Sequence, residues 1–523
     1  MHSDLSIKDS NSNVSTFFAV EGDQVGPLME GSDSTVSIER ALELTGYGKY
    51  TILLTLACGL CLCGATAEIY TIGFVLPAAE CDLNLDTSSK SLLAGACLIG
   101  MIIGANIWGF LSDRYGRKKI IIYSGSGGVF CSIMAMLSHS FWAFTIFRCL
   151  VGAFVTGALS TIFAYAGEFL PQKYRSKSIV FIGVLQNFYS IFIPTLAWIL
   201  LPLDYSITIF NYKFNSWRIF LLLNTLPLLF GTLSVSFFPE SPKYLLSTGD
   251  LDSTIQVLKK IYLGNNGKDD YKVKKIFAEE NDDKKLTNKS FLVVLTEQFS
   301  CLFKKKYIFD VVSTSFLQFC NFAVSSGLLI WYADILNIQN NDDSNVTVCE
   351  AIQSGIKNVT INCNEEKNEF NTSMFTQNLW IGVMYLSGQL IIILALKYLR
   401  KTFIQGLFTL TAGICATIMI FVTSPLLINI LFVLFLVLPG LCVVVVSAIM
   451  VDIFPTHLRS SAVSFSLTMG RISSLISTST IGHIIQLNCY IAFSIYATLL
   501  ISSSVVATLM RSKEKRNCDK NLK

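Results

Sequence analysis

Long apolar runs, each closed by a short polar cluster, set the pattern of this chain. A helix needs about 20 apolar residues to cross a bilayer core. Runs of that kind fall at roughly 50–78, 89–111, 120–138, 141–169, 178–201, 217–238, 306–334, 376–397, 402–423, 426–451, 460–482 and 487–510. Six precede a long charged segment and six follow it, so the pattern predicts an all-α, twelve-helix membrane protein built as two six-helix bundles. The expected divisions are a polar tail over 1–48, a first bundle over 49–240, a linker with short helices over 241–305, a second bundle over 306–510 and a tail over 511–523. The first tail has no apolar core of the kind a cleavable signal needs, and a short amphipathic helix is expected from Ser37 to Leu44.

Composition agrees: 52% of the 523 residues are hydrophobic and 15% charged, against about 25% charged in soluble domains, and the mean hydropathy is +0.55. The net charge of +4 says less than its distribution. An even helix count puts both termini on one side, and nearly all of the 40 Lys and Arg fall there. The other side carries Lys90, Lys213, Arg218, Lys357 and Lys367, while Arg148 and Arg471 lie inside helices. Positive charge marks the cytosolic side, so both termini are expected there, with loop 335–375 outside or in a lumen. That loop holds three glycosylation sequons, at Asn345, Asn358 and Asn371, and two cysteines, Cys349 and Cys363, that are candidates for a disulfide on an oxidising face.

Between the second and third runs stands Gly109-Phe-Leu-Ser-Asp113-Arg-Tyr-Gly116-Arg117-Lys-Lys119. So many charges in so few residues demand a tight turn at a membrane face. Gly109 is expected to let its helix approach a neighbour and Gly116 to supply a positive φ, with Arg117 free to pair with a carboxylate of another helix. An internal repeat supports the two halves: Glu168-Phe-Leu-Pro171-Gln-Lys-Tyr-Arg175 ends the fourth run and Asp452-Ile-Phe-Pro455-Thr-His-Leu-Arg459 ends the tenth. After the eighth run the chain reads Leu396-Lys-Tyr-Leu-Arg400-Lys401, which keeps the positive charge but neither the Asp nor the Gly.

The 109–119 stretch resembles the hallmark loop between helices 2 and 3 of the major facilitator superfamily, and Arg148-Cys-Leu-Val-Gly152 resembles that superfamily's R-x-x-x-G element. Pro239-Glu-Ser241-Pro242-Lys-Tyr-Leu245 is similar to the sugar and organic-ion branches. Gly73-Phe-Val-Leu-Pro-Ala-Ala-Glu80 and Phe214-Asn-Ser-Trp-Arg-Ile-Phe220 look like the synaptic vesicle glycoprotein 2 family, although Ala65 stands where that family has a second carboxylate in helix 1. The resemblance implies alternating access, with Asp113, Arg117, Glu168 and Arg175 in one half and Asp452 and Arg459 in the other holding the gate.

Candidate binding groups are the polar residues inside the runs. Glu68 lies deep in the first; an ionised group at mid-bilayer costs at least about 2.5–3.5 kcal/mol, so it must face a cavity or a partner. It is a candidate proton carrier, cation ligand or structural ion-pair member. Arg471 is either an anion clamp or the partner of Glu68, and Arg148 is expected to be buried. Asn187, Gln318 and Asn321, with Gln186 and Gln389, are placed to bind solute or to join helices, and Tyr70, Tyr189, Trp331 and Tyr332 to line a cavity. A phosphate-cradling loop with its Lys and a metal-ligand cluster are both missing from the sequence, and its four His lack any triad context. The expectation is therefore a monomeric secondary-active transporter of an organic ion or sugar-like solute, with protons as candidate coupling ions and no enzyme activity, cofactor, metal or nucleic acid. The rival is a non-transporting receptor or trafficking scaffold on the same fold.

Overall fold

In a bilayer the backbone must satisfy its own hydrogen bonds, and only a helix does so within one segment. Each apolar run accordingly folds as one. The computed structural model describes residues 35–203, 206–209, 212–267, 270–271, 273, 275–277, 302–332, 347–350, 372–396, 398–454 and 456–521. The first bundle comprises α2 (Lys49–Tyr70), α3 (Ile72–Ala78), α4 (Thr87–Tyr115), α5 (Arg117–Leu137), α6 (Phe141–Phe169), α7 (Gln172–Asn187), α8 (Tyr189–Leu200) and α9 (Ser216–Ser236). The second comprises α12 (Ile308–Phe322), which runs on through a π-helical turn at Ala323–Leu328, then α13 (Thr372–Ala395), α14 (Lys401–Met419), α15 (Pro425–Ile453) and α16 (Thr456–Asn521). Among the described residues 11 helices are long and apolar enough to cross a membrane, α2 with α3 and α7 with α8 each counting as one. The eleventh expected run, 460–482, is helical as the first part of α16; Asn488, at φ −162° and ψ 106°, separates it from the last.

Small residues decide how closely these helices approach. A Cβ on Gly100 of α4 would lie 1.8 Å from the Cys149 carbonyl oxygen, and one on Gly152 of α6 would lie 1.9 Å from that of Cys97. The two backbones therefore touch, which holds Arg148, one turn before Gly152, in register. Gly109, expected to serve this purpose, has open space around it: the close approach lies two turns deeper in the bundle. In the second bundle, hydroxyls of α16 bridge to the α12 segment. Ser473 donates to Phe319 O at 2.5 Å, Ser477 to Ala323 O at 2.7 Å and Thr478 to Gly327 O at 3.1 Å. A π turn breaks the i→i+4 ladder, and these hydroxyls satisfy carbonyls there.

We call the end where α2 starts the charged face. Here α1 (Ile38–Thr45), α10 (Pro242–Ser247) and α11 (Leu251–Asn266) cover the first bundle, and β1 (Thr35–Ser37) pairs in parallel with a second short strand, Lys275–Phe277. α1 matches the amphipathic helix expected at Ser37–Leu44, and Ser241 caps α10 with Pro242 in its first turn. Gly116 has the positive φ that the turn requires, 105°. At the opposite face Ser206–Ile209 and Tyr212–Asn215 form a hairpin, and Arg218 donates to the Met136 and Ser138 carbonyls (2.6 and 2.5 Å), capping the end of α5.

The expected Cys349–Cys363 bridge is corrected. Cys349 pairs with Cys489, their Cα atoms 5.4 Å apart across 140 residues of sequence. The break at Asn488 brings the start of the last helical run against the loop, and both cysteines are fully buried there. Cys81 is also disulfide-bonded. Cys363 and the sequons at Asn345, Asn358 and Asn371 lie outside the described residues.

Candidate functional site

Glu68 sits two residues before the end of α2, with no exposed surface. Arg148 of α6, equally buried, donates from Nη1 to its Oε2 at 3.1 Å and from Nη2 to its backbone carbonyl. Ser132 of α5 donates to Oε2 at 3.0 Å and Thr225 of α9 to Oε1 at 2.7 Å. Four helices thus converge on one carboxylate. Burial of two charges is costly, and such a pair persists only where the remaining lone pairs find donors; here they do. The alternative left open by the sequence is decided: the partner of Glu68 is Arg148, not Arg471. Arg471 lies partly buried on α16, two residues before Ser473.

A second feature lies between the bundles, one helical turn beyond Glu68. A cavity of about 40 Å³ is lined by Tyr70 and Phe74 of the first segment, Tyr189 of α8, Leu329 of the α12 segment, and Asn378 and Tyr385 of α13. Among the described residues no Asp, Glu, Lys, Arg or His lines it. Tyr70 stacks on Tyr189 with ring centroids 5.0 Å apart and shares a 2.8 Å hydrogen bond with Ser326 in the π turn. Asn187 donates to Gln389 of α13 at 2.5 Å, and Phe74 stacks on Phe375 at 6.4 Å. A Cβ on Gly95 of α4 would meet Leu475 of α16 at 2.9 Å. These contacts between bundles all lie at mid-helix or toward the face opposite the charged one.

The charges expected at a gate divide by bundle. Arg117, at the start of α5, pairs with Asp113 at 2.8 Å and with Glu168, at the end of α6, at 3.3 Å. Glu240 accepts from the Lys118 backbone at 2.9 Å, closing the turn. In the second bundle Lys401, at the start of α14, pairs with Asp452, at the end of α15, at 2.7 Å. The loop that lost its Asp and Gly therefore keeps the ion pair that matters, between equivalent helix ends. Arg175 instead pairs with Glu39 of α1 at 2.9 Å, and Lys243 of α10 pairs with the same carboxylate. The side chain of Arg459 lies outside the described residues.

Other expected residues are not gathered at one site. Asn321 exchanges long hydrogen bonds with Gln405 of α14 (3.5 and 3.3 Å), and Gln318 donates to Val443 O of α15 at 3.2 Å. Both are fully buried and join helices of the second bundle. Gln186 donates to Thr66 at 3.0 Å. Sequence reasoning missed Ser132, Thr225 and Tyr385, since short hydroxyl residues and single tyrosines carry no signal until a fold brings them together, and it read Lys401 as retained charge without its partner Asp452. It also missed Asn224, fully buried beside Thr225, with neither amide atom hydrogen-bonded among the described residues.

The "Sugar (and other) transporter" family profile matches residues 49–363. Human synaptic vesicle glycoprotein 2C is 26% identical over 372 residues, covering 67% of this chain and 51% of that protein. Human synaptic vesicle glycoprotein 2B is 30% identical over 227 residues, covering 43% and 33%. The chain thus spans about half, or less, of the length of these curated relatives. Among solved structures, the xylose transporter XylE from E. coli in a partially occluded inward-open conformation superposes with a TM-score of 0.62 at 15% identity, over 87% of this chain and 98% of that one. A crystal structure of a D-xylose-proton symporter gives 0.62 at 16%, over 88% and 97%. With the profile spanning more than half of its length and the fold shared along most of it, the chain belongs to the sugar (and other) transporter family of the major facilitator superfamily, and within it to the branch that resembles the synaptic vesicle glycoproteins 2.

Proposed function

We propose that this protein is a secondary-active transporter of an uncharged, ring-bearing solute, sugar-like in chemistry, which works by alternating access and is coupled to protons through Glu68. The observation that carries the reading is the cavity lined by both bundles, within one turn of a buried carboxylate on the same helix segment. Its lining offers aromatic faces, hydroxyls and an amide but no counter-charge, which suits a neutral polar solute; an ion stripped of water there would go uncompensated. At about 40 Å³ the cavity is too small for a sugar, so it corresponds to the closed form of the site. The charged face is cytosolic by its Lys and Arg content. With the bundles joined at the other face, this conformation is closed to the outside. Opening requires breaking contacts that include a Tyr70–Ser326 hydrogen bond, an amide pair and the Phe74–Phe375 stack, each weak enough to exchange for solute.

Connectivity supports proton coupling. A proton on Glu68 cancels the charge that Arg148 neutralises, releasing the guanidinium from Oε2 while Ser132 and Thr225 keep the carboxyl in place. Tyr70, two residues on, precedes the break between α2 and α3 at Thr71, so a shift at Glu68 reaches the cavity through one helical turn. The test is uptake of a panel of neutral sugars, polyols and organic ions into proteoliposomes, with and without an inward proton gradient, in wild type and Glu68→Gln. Gradient-stimulated accumulation of a neutral solute, lost in the variant, is expected. Accumulation with equal pH dependence in the variant would remove Glu68 from the coupling. No accumulation by a well-folded preparation would favour the receptor or scaffold reading instead.

A further inference from the structure

The second bundle repeats the Arg117–Glu168 pair of the first as Lys401–Asp452. For Arg175 the first bundle instead borrows a carboxylate from outside itself, Glu39 of the N-terminal segment. That segment is well anchored. Thr35–Ser37 pairs with Lys275–Phe277, and Ala41, Leu42 and Thr45 are fully buried. Tyr271 donates to Ala41 O at 2.8 Å, and Asn265 donates to the Thr45 and Gly46 carbonyls at 3.2 Å each. Glu39 accepts from Arg175, in the first turn of α7, and from Lys243, in the first turn of α10. One carboxylate thereby joins three elements of the charged face.

We propose that residues 35–45 form a strap that, through Glu39, ties Arg175 and Lys243 to the first bundle and holds the charged face open. The inference rests on the alternating-access reading above. Closing that face brings the helix ends of the second bundle toward those of the first. Asp452, at the end of α15, pairs with Lys401 and keeps 59% of its side chain exposed. Arg175, whose other partners are the Gly167 and Leu170 carbonyls, is a first-bundle cation with no second carboxylate among the described residues once Glu39 is removed. While Glu39 neutralises Arg175, its attraction for an acid of the other bundle is weakened. The apolar side of α1 anchors the strap and Glu39 sets the bias, since its other acid, Glu43, pairs with Arg40 on the same helix.

The test needs no known substrate. Spin labels attached by ketone chemistry at Lys119 and Tyr398, exposed charged-face positions of the two bundles, leave native cysteines untouched. Double electron–electron resonance then reads the distance between bundles in nanodiscs. Two partly exposed ion pairs are lost in Glu39→Gln, so the ratio of short to long distances should rise about fivefold, and Glu39→Asp should restore most of the wild-type ratio. A Glu39→Gln protein that melts lower but keeps the wild-type distance distribution would reduce the strap to a structural clasp and overturn the proposal. A single distance in every variant, at every pH and with every solute of the panel, would overturn the alternating motion and the strap with it; two distances that Glu39→Gln does not redistribute would sink the strap alone.

Discussion

The ion pair at the centre of the first bundle gives the sharpest quantitative test. Arg148→Met removes the cation and leaves the Glu68 carboxylate with no exposed surface and only Ser132 and Thr225 as donors. An uncompensated buried charge of this kind costs about 3–5 kcal/mol. Glu68→Gln strands the guanidinium instead; its Nη2 still donates to the residue 68 carbonyl, so the loss falls toward the lower end, about 3 kcal/mol. The double variant removes both charges at nearly constant volume and returns to within about 2 kcal/mol of wild type, because replacing a whole buried pair is close to neutral. The coupling energy is then at least about 3 kcal/mol, far beyond the ~0.5 kcal/mol scatter of independent sites. Thermal melting in lipid nanodiscs reads the cycle: at about 2–4 °C per kcal/mol for a unit of this size, Arg148→Met should drop the midpoint by roughly 6–20 °C. If the double variant loses the sum of the two single losses, Glu68 and Arg148 do not act as a pair, and the coupling step built on releasing one from the other falls with it.

Three further outcomes follow from single contacts. Asn224→Leu exchanges a fully buried amide, without hydrogen-bond partners among the described residues, for an apolar group of similar size, and the midpoint should rise by the equivalent of about 1–3 kcal/mol; an unchanged or lower midpoint would mean the amide has a partner in the membrane-embedded protein. Non-reducing peptide mapping should recover Cys349 joined to Cys489, and a Cys349–Cys363 peptide would contradict the fold at that face. Burial pushes the Glu39 carboxyl up, but Lys243 and Arg175 more than offset this and hold it below the ordinary 4.5; on its own helix Arg40 is taken by Glu43. A lowered carboxyl stabilises the docked strap above the ordinary value and loses that contribution as pH falls through the lowered one. The hydrogen-exchange protection factor at 35–45 should therefore be flat from neutral pH down to 4.5 and fall only below it; a fall between pH 7 and 5 would show that Glu39 is not held by the two cations.

Much of the fold was legible because each helix answers to a local demand. An apolar run of sufficient length must satisfy its own backbone in lipid, and the polar clusters between runs mark where water resumes. Gly116 at a charged turn and the amphipathic stretch after Ser37 are equally local, and the structure bears both out. The repeated carboxylate–Pro–Arg runs also placed equivalent helix ends correctly. Choice of partner was not local. Arg148 and Arg471 were both cations within reach in sequence terms, and only the backbone contact at Gly100 and Gly152, which sets the depth of α6 against α4, brings Arg148 to Glu68. Gly109 carries the same residue type but faces open space, because helix rotation decides which glycine meets a neighbour. Cys349 took a partner 140 residues away, and Arg175 took a carboxylate from a segment outside the bundle. The sequence alone thus determined which segments are helices, how they divide into two halves and which charges collect at one face. The tertiary structure alone decided which charges neutralise each other and where the halves touch, since both depend on the rotation and depth of packed helices, and these are set by many side chains at once.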